Sequence, residues 1–140
     1  MSLTNDERFA IVSYRLEKAE MTLDDATKSA EYGMYNTAAN RLYYAFYYAA
    51  SALLIDKGLK VQTHSGLMSM LHLHFLKAGK MTTDDGVLMR RLFALRQEGD
   101  YEDFVRLESE DVVPLLPETK KLICKIRTFI ETDRNTNKIY

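Results

Sequence analysis

The sequence has one cysteine, two prolines, six glycines and no tryptophan among 140 residues. A single cysteine excludes an intrachain disulfide and favours a reducing, cytoplasmic location. The small number of prolines and glycines, with 46% apolar and 28% charged residues, is typical of a folded, helix-rich chain rather than a disordered one. The length predicts one domain, which we place at residues 1–132, followed by a polar, frayed tail at 133–140.

Long apolar runs and a strong excess of one charge are also missing. The longest uncharged apolar stretch, residues 42–55, is shorter than the roughly 20 residues of a membrane-spanning helix. The charged N-terminus is not followed by an apolar run, unlike a secretory signal. We therefore expect a soluble, cytoplasmic protein. The formal net charge is −1, so a nucleic-acid ligand would need a local cluster of Arg and Lys.

The motifs of several common cofactor and catalytic sites are absent. There is no GxGxxG, GxxxxGK[ST], GxSxG or HExxH pattern. His72 and His74 are two residues apart, which places them on nearly opposite sides of a helix, and we predict neither a metal site nor a cofactor. Cys124 lies in an apolar stretch and is predicted to be a packed, inert thiol.

Apolar periodicity and capping residues predict helices along the chain. Thr4 and Glu7 form a capping box before a first helix that ends at Gly33. A second helix spans about residues 35–57 and ends at Gly58. The predicted buried stripe of the first helix consists of Phe9, Val12, Leu16, Ala19, Leu23, Ala26 and Ala30.

Later helix starts are predicted from threonine caps. A third helix begins at Thr63 and a fourth at Thr82. Gly99 is predicted to end the fourth helix, which would place Asp100 and Tyr101 on a turn.

Two prolines limit where a fifth helix can start. Proline is tolerated only in the first turn, and Pro114 and Pro117 cannot both lie there without a kink, so this helix is expected to begin between Ser109 and Pro117. No segment shows the alternation of a strand. The predicted fold class is therefore all-α, an antiparallel up-and-down bundle of four to five helices.

The second helix carries apolar or aromatic residues on every face. Such a helix is normally surrounded, so it should lie at the centre of the bundle or be shared with a second subunit. Its tyrosine hydroxyl groups need polar partners, which favours rings at an interface.

Cationic and aromatic residues are the best candidates for a binding site. Arginine has forked donors that fit phosphate oxygens, and tyrosine can stack on a base. Surface ion pairs and packed tyrosines explain the same residues without a ligand. The candidate ligand-binding residues are Arg41, Tyr44, Tyr48 and Arg96, and the candidate catalytic residues are Arg96, Asp100, Tyr101 and His64.

Three segments resemble the HEPN (higher eukaryotes and prokaryotes nucleotide-binding) superfamily, in particular its small stand-alone prokaryotic branch, UPF0332. They are residues 38–45 (AANRLYYA), 63–66 (THSG) and 95–101 (LRQEGDY). The resemblance covers nearly the whole chain. It implies a dimer of helical bundles, and frequently a minimal nucleotidyltransferase as the partner in a toxin–antitoxin pair.

Active members of the superfamily resemble metal-independent ribonucleases that use an Arg, four to six intervening residues and a His. In this sequence Arg96 matches the arginine, but Tyr101 stands where the histidine would follow, and no histidine occurs from Gln97 onwards. A tyrosine with an ordinary pKa of about 10 is a poor base at pH 7. His64 is the candidate that could supply the imidazole from another helix.

Three hypotheses follow. The first is a HEPN-type dimer that binds RNA or a nucleotide without efficient cleavage. The second is a metal-independent ribonuclease toxin that uses Arg96 with a non-standard acid-base partner. The third is a protein-interaction module without a ligand, in which the aromatic helix forms a homodimer and receives the transferase.

Overall fold

The computed structural model describes the backbone of residues 3–101 and 105–139 and the side chains of residues 3–97 and 105–132. Every regular element within these ranges is helical, which confirms the predicted all-α bundle. The elements in chain order are α1 (Asn5–Glu31), α2 (Tyr35–Asp56), α3 (His64–Leu71), a π-helical segment (His72–Leu76), α4 (Thr83–Tyr101), α5 (Ser109–Val112) and α6 (Leu115–Ile139).

The helix starts follow the predicted caps. The Thr4 hydroxyl accepts a hydrogen bond from the Glu7 amide at 3.1 Å, and the Glu7 carboxylate accepts one from the Thr4 amide at 3.2 Å. Thr82 and Asp85 form the same reciprocal pair before α4. These caps satisfy backbone donors that a helix start leaves without partners.

Helix α2 is the central element, as predicted. It packs most extensively on α1 and also contacts α4 and α6. Leu42, Tyr43, Phe46 and Leu53 on α2 have no exposed surface. Helix α1 packs mainly on α2, and its completely buried residues include the small side chains of Ala19 and Ala26. Small side chains allow the two helix backbones to approach closely.

Two side chains predicted to be buried are exposed. Phe9 is 53% exposed and lies one turn before Val12, where burial on that face of α1 begins. Cys124 is also exposed. It lies two positions from both Leu122 and Ile126, which are buried, so it points away from the packed face of α6.

The predicted end of the fourth helix at Gly99 is wrong. The α4 backbone remains helical to Tyr101, so Gly99 and Asp100 lie within the helix. The cost of glycine inside a helix is only about 1 kcal/mol, which other contacts can outweigh. The side chains of Asp100 and Tyr101 lie outside the described residues.

The two prolines separate the last two helices. Pro114 lies between α5 and α6, and Pro117 lies in the first turn of α6, where a missing amide proton costs no helical hydrogen bond. The α6 backbone is helical to Ile139 and so includes most of the segment predicted as a frayed tail. The single-domain assignment of residues 1–132 stays a prediction.

We predict that Ala26→Leu destabilises the protein by about 1–3 kcal/mol, because the larger side chain must enter a packed contact. Urea unfolding measures this change in the free energy of unfolding. Ala10→Leu is the matched control, because Ala10 is on the same helix but exposed, and its effect should stay within about 0.5 kcal/mol. Equal effects of the two substitutions would contradict the close approach of α1 and α2.

Candidate functional site

A cluster of aromatic rings lies where α2 meets the start of α3. We call Tyr43, Tyr44, Tyr47, Tyr48 and His64 the ring cluster. Tyr43 and Tyr44 meet edge to face with 5.3 Å between ring centroids, and Tyr44 and Tyr48 are 6.0 Å apart, one helical turn along α2. Tyr43 is completely buried, whereas the other members are partly buried. The cluster therefore joins the core to the surface.

His64 is held in the cluster by the start of α3. The Thr63 hydroxyl caps this helix by accepting a hydrogen bond from the Gly66 amide at 2.9 Å. A Cβ atom on residue 66 would lie only 2.9 Å from the Thr63 hydroxyl oxygen, so glycine leaves room for the cap. His64 is the first residue after Thr63, and its ring centroid is 4.7 Å from that of Tyr47.

A short hydrogen bond joins the buried Tyr43 to the partly buried His64. The Tyr43 hydroxyl oxygen lies 2.6 Å from Nδ1 of His64. Sequence reasoning did not find this pair, because the two residues are on different helices and 21 positions apart.

Arg96 reaches the same rings from α4. Its guanidinium carbon is 5.5 Å from the Tyr43 ring centroid and 5.6 Å from that of Tyr44. The His64 ring is 5.6 Å and 6.0 Å from these same two centroids. Arg96 and His64 therefore converge on one pair of tyrosines, although they are on different helices.

Arg41 adds a second guanidinium to this surface. Its guanidinium carbon is 5.4 Å from the Tyr44 ring centroid. The Asn40 side-chain oxygen accepts two hydrogen bonds from Arg41, at 3.0 Å from Nε and 2.7 Å from Nη2. The predicted ligand-binding residues Arg41, Tyr44 and Arg96 thus lie together, with Tyr48 beside Tyr44.

Burial and the Arg96 charge determine the protonation states in the cluster. Burial raises the pKa of Tyr43 well above its usual value, although the nearby Arg96 charge acts in the opposite direction. Burial, and then the Arg96 charge, lower the pKa of His64 below its ordinary 6.5. At pH 7 both side chains are therefore neutral.

The lowered His64 pKa also affects stability. The unfolded chain binds this proton more readily than the folded chain, so the His64 contribution to folding is complete above pH 6.5 and is lost as the pH falls towards the folded pKa.

Lys18 is a nearby cation that sequence reasoning missed. Its Nζ atom lies 4.7 Å from the Tyr48 ring centroid and 5.9 Å from that of Tyr14 on its own helix. The four-residue spacing of Tyr14 and Lys18, which places both on one face of a helix, was the sequence signal that could have indicated this cation. The contact with Tyr48 depends on the packing of α1 on α2.

Among the side chains that the structure describes, no three His, Cys, Asp or Glu residues come together in an arrangement that could hold a metal ion. No helix within the described ranges has the length and apolar character needed to cross a membrane.

The chain belongs to the HEPN domain family, whose model matches residues 12–129. This match confirms the resemblance found in the sequence motifs.

Several relatives align along most of the chain. A UPF0332 protein of Thermotoga maritima is 34% identical over 126 residues, covering 90% of this chain and 96% of the relative. A UPF0332 protein of Archaeoglobus fulgidus is 28% identical over 120 residues, covering 86% and 95%. A Methanocaldococcus jannaschii protein named "Putative toxin MJ0142" is 25% identical over 115 residues, covering 82% and 78%.

We predict that Arg96→Gln raises the pKa of His64 towards 6.5, because the substitution removes a positive charge that disfavours protonation. An NMR titration of the histidine ring protons measures the shift. Arg91→Gln is the matched control, since Arg91 is an exposed arginine on the same helix. A His64 pKa that is the same in all three proteins would contradict the described proximity of Arg96 to His64.

Proposed function

We propose that this chain is a HEPN-type dimer that binds RNA or a nucleotide at the ring cluster, with Arg96 and His64 facing the phosphate. The convergence of Arg96 and His64 on Tyr43 and Tyr44 carries the proposal. The arginine has two parallel donors that match phosphate oxygens, and the neutral imidazole can add a third polar contact.

The surroundings of Arg96 suit a nucleotide better than a simple anion. Arg41 places a second guanidinium beside Tyr44, and Tyr44 and Tyr48 are partly exposed rings on which a base can stack. Lys18 extends the positive charge along the rings to α1. The whole chain has a net charge of −1, so attraction for a polyanion is local to this surface.

The proposed biological role is that of the toxin-like member of a pair with a minimal nucleotidyltransferase. Two Methanocaldococcus jannaschii relatives are named "Putative toxin MJ0142" and "Putative toxin MJ0605", which supports this role. The family resemblance supports the dimer and the transferase partner. Large exposed side chains on α1, such as Tyr14 and Met21, both 62% exposed, provide surface for protein contacts.

A metal-independent ribonuclease is the second candidate. The specific observation in its favour is that His64 lies beside Arg96 across the tyrosine pair, so an imidazole is present although none follows Arg96 in the sequence. In such an enzyme Arg96 would stabilise the charge on the scissile phosphate and His64 would move the proton of the 2′-hydroxyl group. Asp100 and Tyr101 remain proposed helpers on α4.

We predict that Arg96→Gln weakens binding of a fluorescent single-stranded oligoribonucleotide by about tenfold or more, since a charge-assisted contact to phosphate is lost. The plot of log affinity against log salt concentration should become less steep by about 1, the change expected when one phosphate contact is lost. Fluorescence anisotropy at several salt concentrations measures both effects, and ATP serves as the nucleotide probe.

Arg91→Gln is again the control, because it removes the same charge from an exposed position on α4. If the wild-type protein binds neither the oligoribonucleotide nor ATP at low salt, the binding proposal is wrong. If both variants weaken binding equally, the effect is one of total charge and the site is elsewhere.

The ribonuclease candidate predicts RNA products that form in EDTA and disappear in both Arg96→Gln and His64→Ala. Incubation of structured and unstructured RNA with the purified proteins, followed by denaturing gel electrophoresis, measures this. If the RNA stays intact with the wild-type protein under conditions where binding is saturated, the ribonuclease candidate is excluded and the binding function is left.

A further inference from the structure

The Tyr43 hydroxyl group is buried and carries one proton, which needs a hydrogen-bond acceptor inside the protein. Tyr43 has no exposed surface, and its hydrogen bond within the described chain is to Nδ1 of His64 at 2.6 Å. A buried hydroxyl that does not donate its proton loses free energy comparable to a hydrogen bond. The environment of Tyr43 therefore determines which way this hydrogen bond runs.

Among the described residues, His64 is the group found in hydrogen-bond contact with the Tyr43 hydroxyl. Arg96 lies over the ring, but a guanidinium group has only donors. The ring also contacts the aromatic rings of Tyr44, Phe46, Tyr47 and Phe93, at centroid distances of 5.3–6.2 Å, and no hydrogen bond from the Tyr43 hydroxyl to these side chains is found in the described part of the chain. If Nδ1 of His64 were protonated and donated to Tyr43, the phenolic proton would have no described acceptor. The arrangement that satisfies both groups has Tyr43 donating to an unprotonated Nδ1.

From this geometry we infer that Tyr43 is a positioning residue that fixes His64 as the Nε2–H tautomer, so that His64 presents a hydrogen-bond donor to a phosphate oxygen beside Arg96. A neutral imidazole carries one proton, and if Nδ1 accepts from Tyr43 that proton is on Nε2. The part of this inference that concerns the ligand rests on the proposed function, whereas the tautomer does not.

The tautomer distinguishes between the two candidate functions. A general base needs a free lone pair, and in this arrangement the lone pair of His64 is used at Nδ1 by Tyr43. Accepting the proton of a 2′-hydroxyl group at Nε2 would require the other tautomer, which leaves the buried phenolic proton without its acceptor. The resting site is thus arranged to hold a phosphate rather than to abstract a proton.

The tautomer can be measured without any ligand. Long-range ¹H–¹⁵N correlation spectra of the full-length, ¹⁵N-histidine-labelled protein, recorded well above the His64 pKa, distinguish a protonated from an unprotonated ring nitrogen. His64 signals are assigned by their loss in His64→Asn, which separates them from those of His72 and His74. We expect Nε2 protonated and Nδ1 unprotonated in the wild-type protein, and a mixture of tautomers in Tyr43→Phe.

Two amide substitutions separate the two nitrogen positions of His64. The amide of glutamine reaches close to the Nε2 position, whereas that of asparagine reaches only the Nδ1 position. His64→Gln should therefore keep the donor to the oligoribonucleotide and bind within about twofold of wild type, while His64→Asn should bind about 2- to 10-fold more weakly. The order should reverse in thermal melting, because the His64→Asn protein keeps an acceptor for the Tyr43 hydroxyl group and the His64→Gln protein does not.

The tautomer and the binding measurements test different parts of the proposal. A wild-type spectrum with Nδ1 protonated overturns the inference, as does a Tyr43→Phe protein that melts cooperatively and keeps the Nε2–H tautomer unchanged. Weaker binding by His64→Gln than by His64→Asn overturns the donor role. If the wild-type protein has the Nε2–H tautomer but binds neither the oligoribonucleotide nor ATP, the proposed function is wrong and the positioning role of Tyr43 stands.

Discussion

The Tyr43 hydroxyl group is held on the central helix in a position without solvent, so it must find its partner inside the protein. The start of α3 supplies that partner, because the Thr63 cap places His64 against the ring cluster. Arg96 then packs over the ring of Tyr43 from α4. One buried polar group thereby ties together three helices, and the geometry of the proposed binding surface depends on it.

Several features could be predicted because they depend on neighbours in sequence. Threonine caps and glycine stops are local, and a helix that is apolar on every face has to be central. The grouping of Arg41, Tyr44 and Tyr48 is also local, since these residues follow one another at helical spacing. Arg96 was a candidate from its residue type and matched the family motif, but neither gave a distance from Arg96 to any ring.

Contacts between helices could not be predicted in this way. The pairing of Tyr43 with His64, and that of Lys18 with Tyr48, depend on how separate helices pack. Gly99 does not end α4, because the low helix propensity of a single glycine is outweighed by the other interactions of the helix. Cys124 was assigned to the core because its neighbours are apolar, but a helix turns alternate residues away from one another.

The exposed Cys124 has a practical consequence. It is the only thiol in the chain, so a maleimide dye or spin label would attach at one known position on α6 without engineering. In a symmetric assembly of two chains, each labelled once, a single distance between probes would constrain how the subunits are arranged. The same accessibility means that purified material stored without a reductant is open to crosslinking between chains.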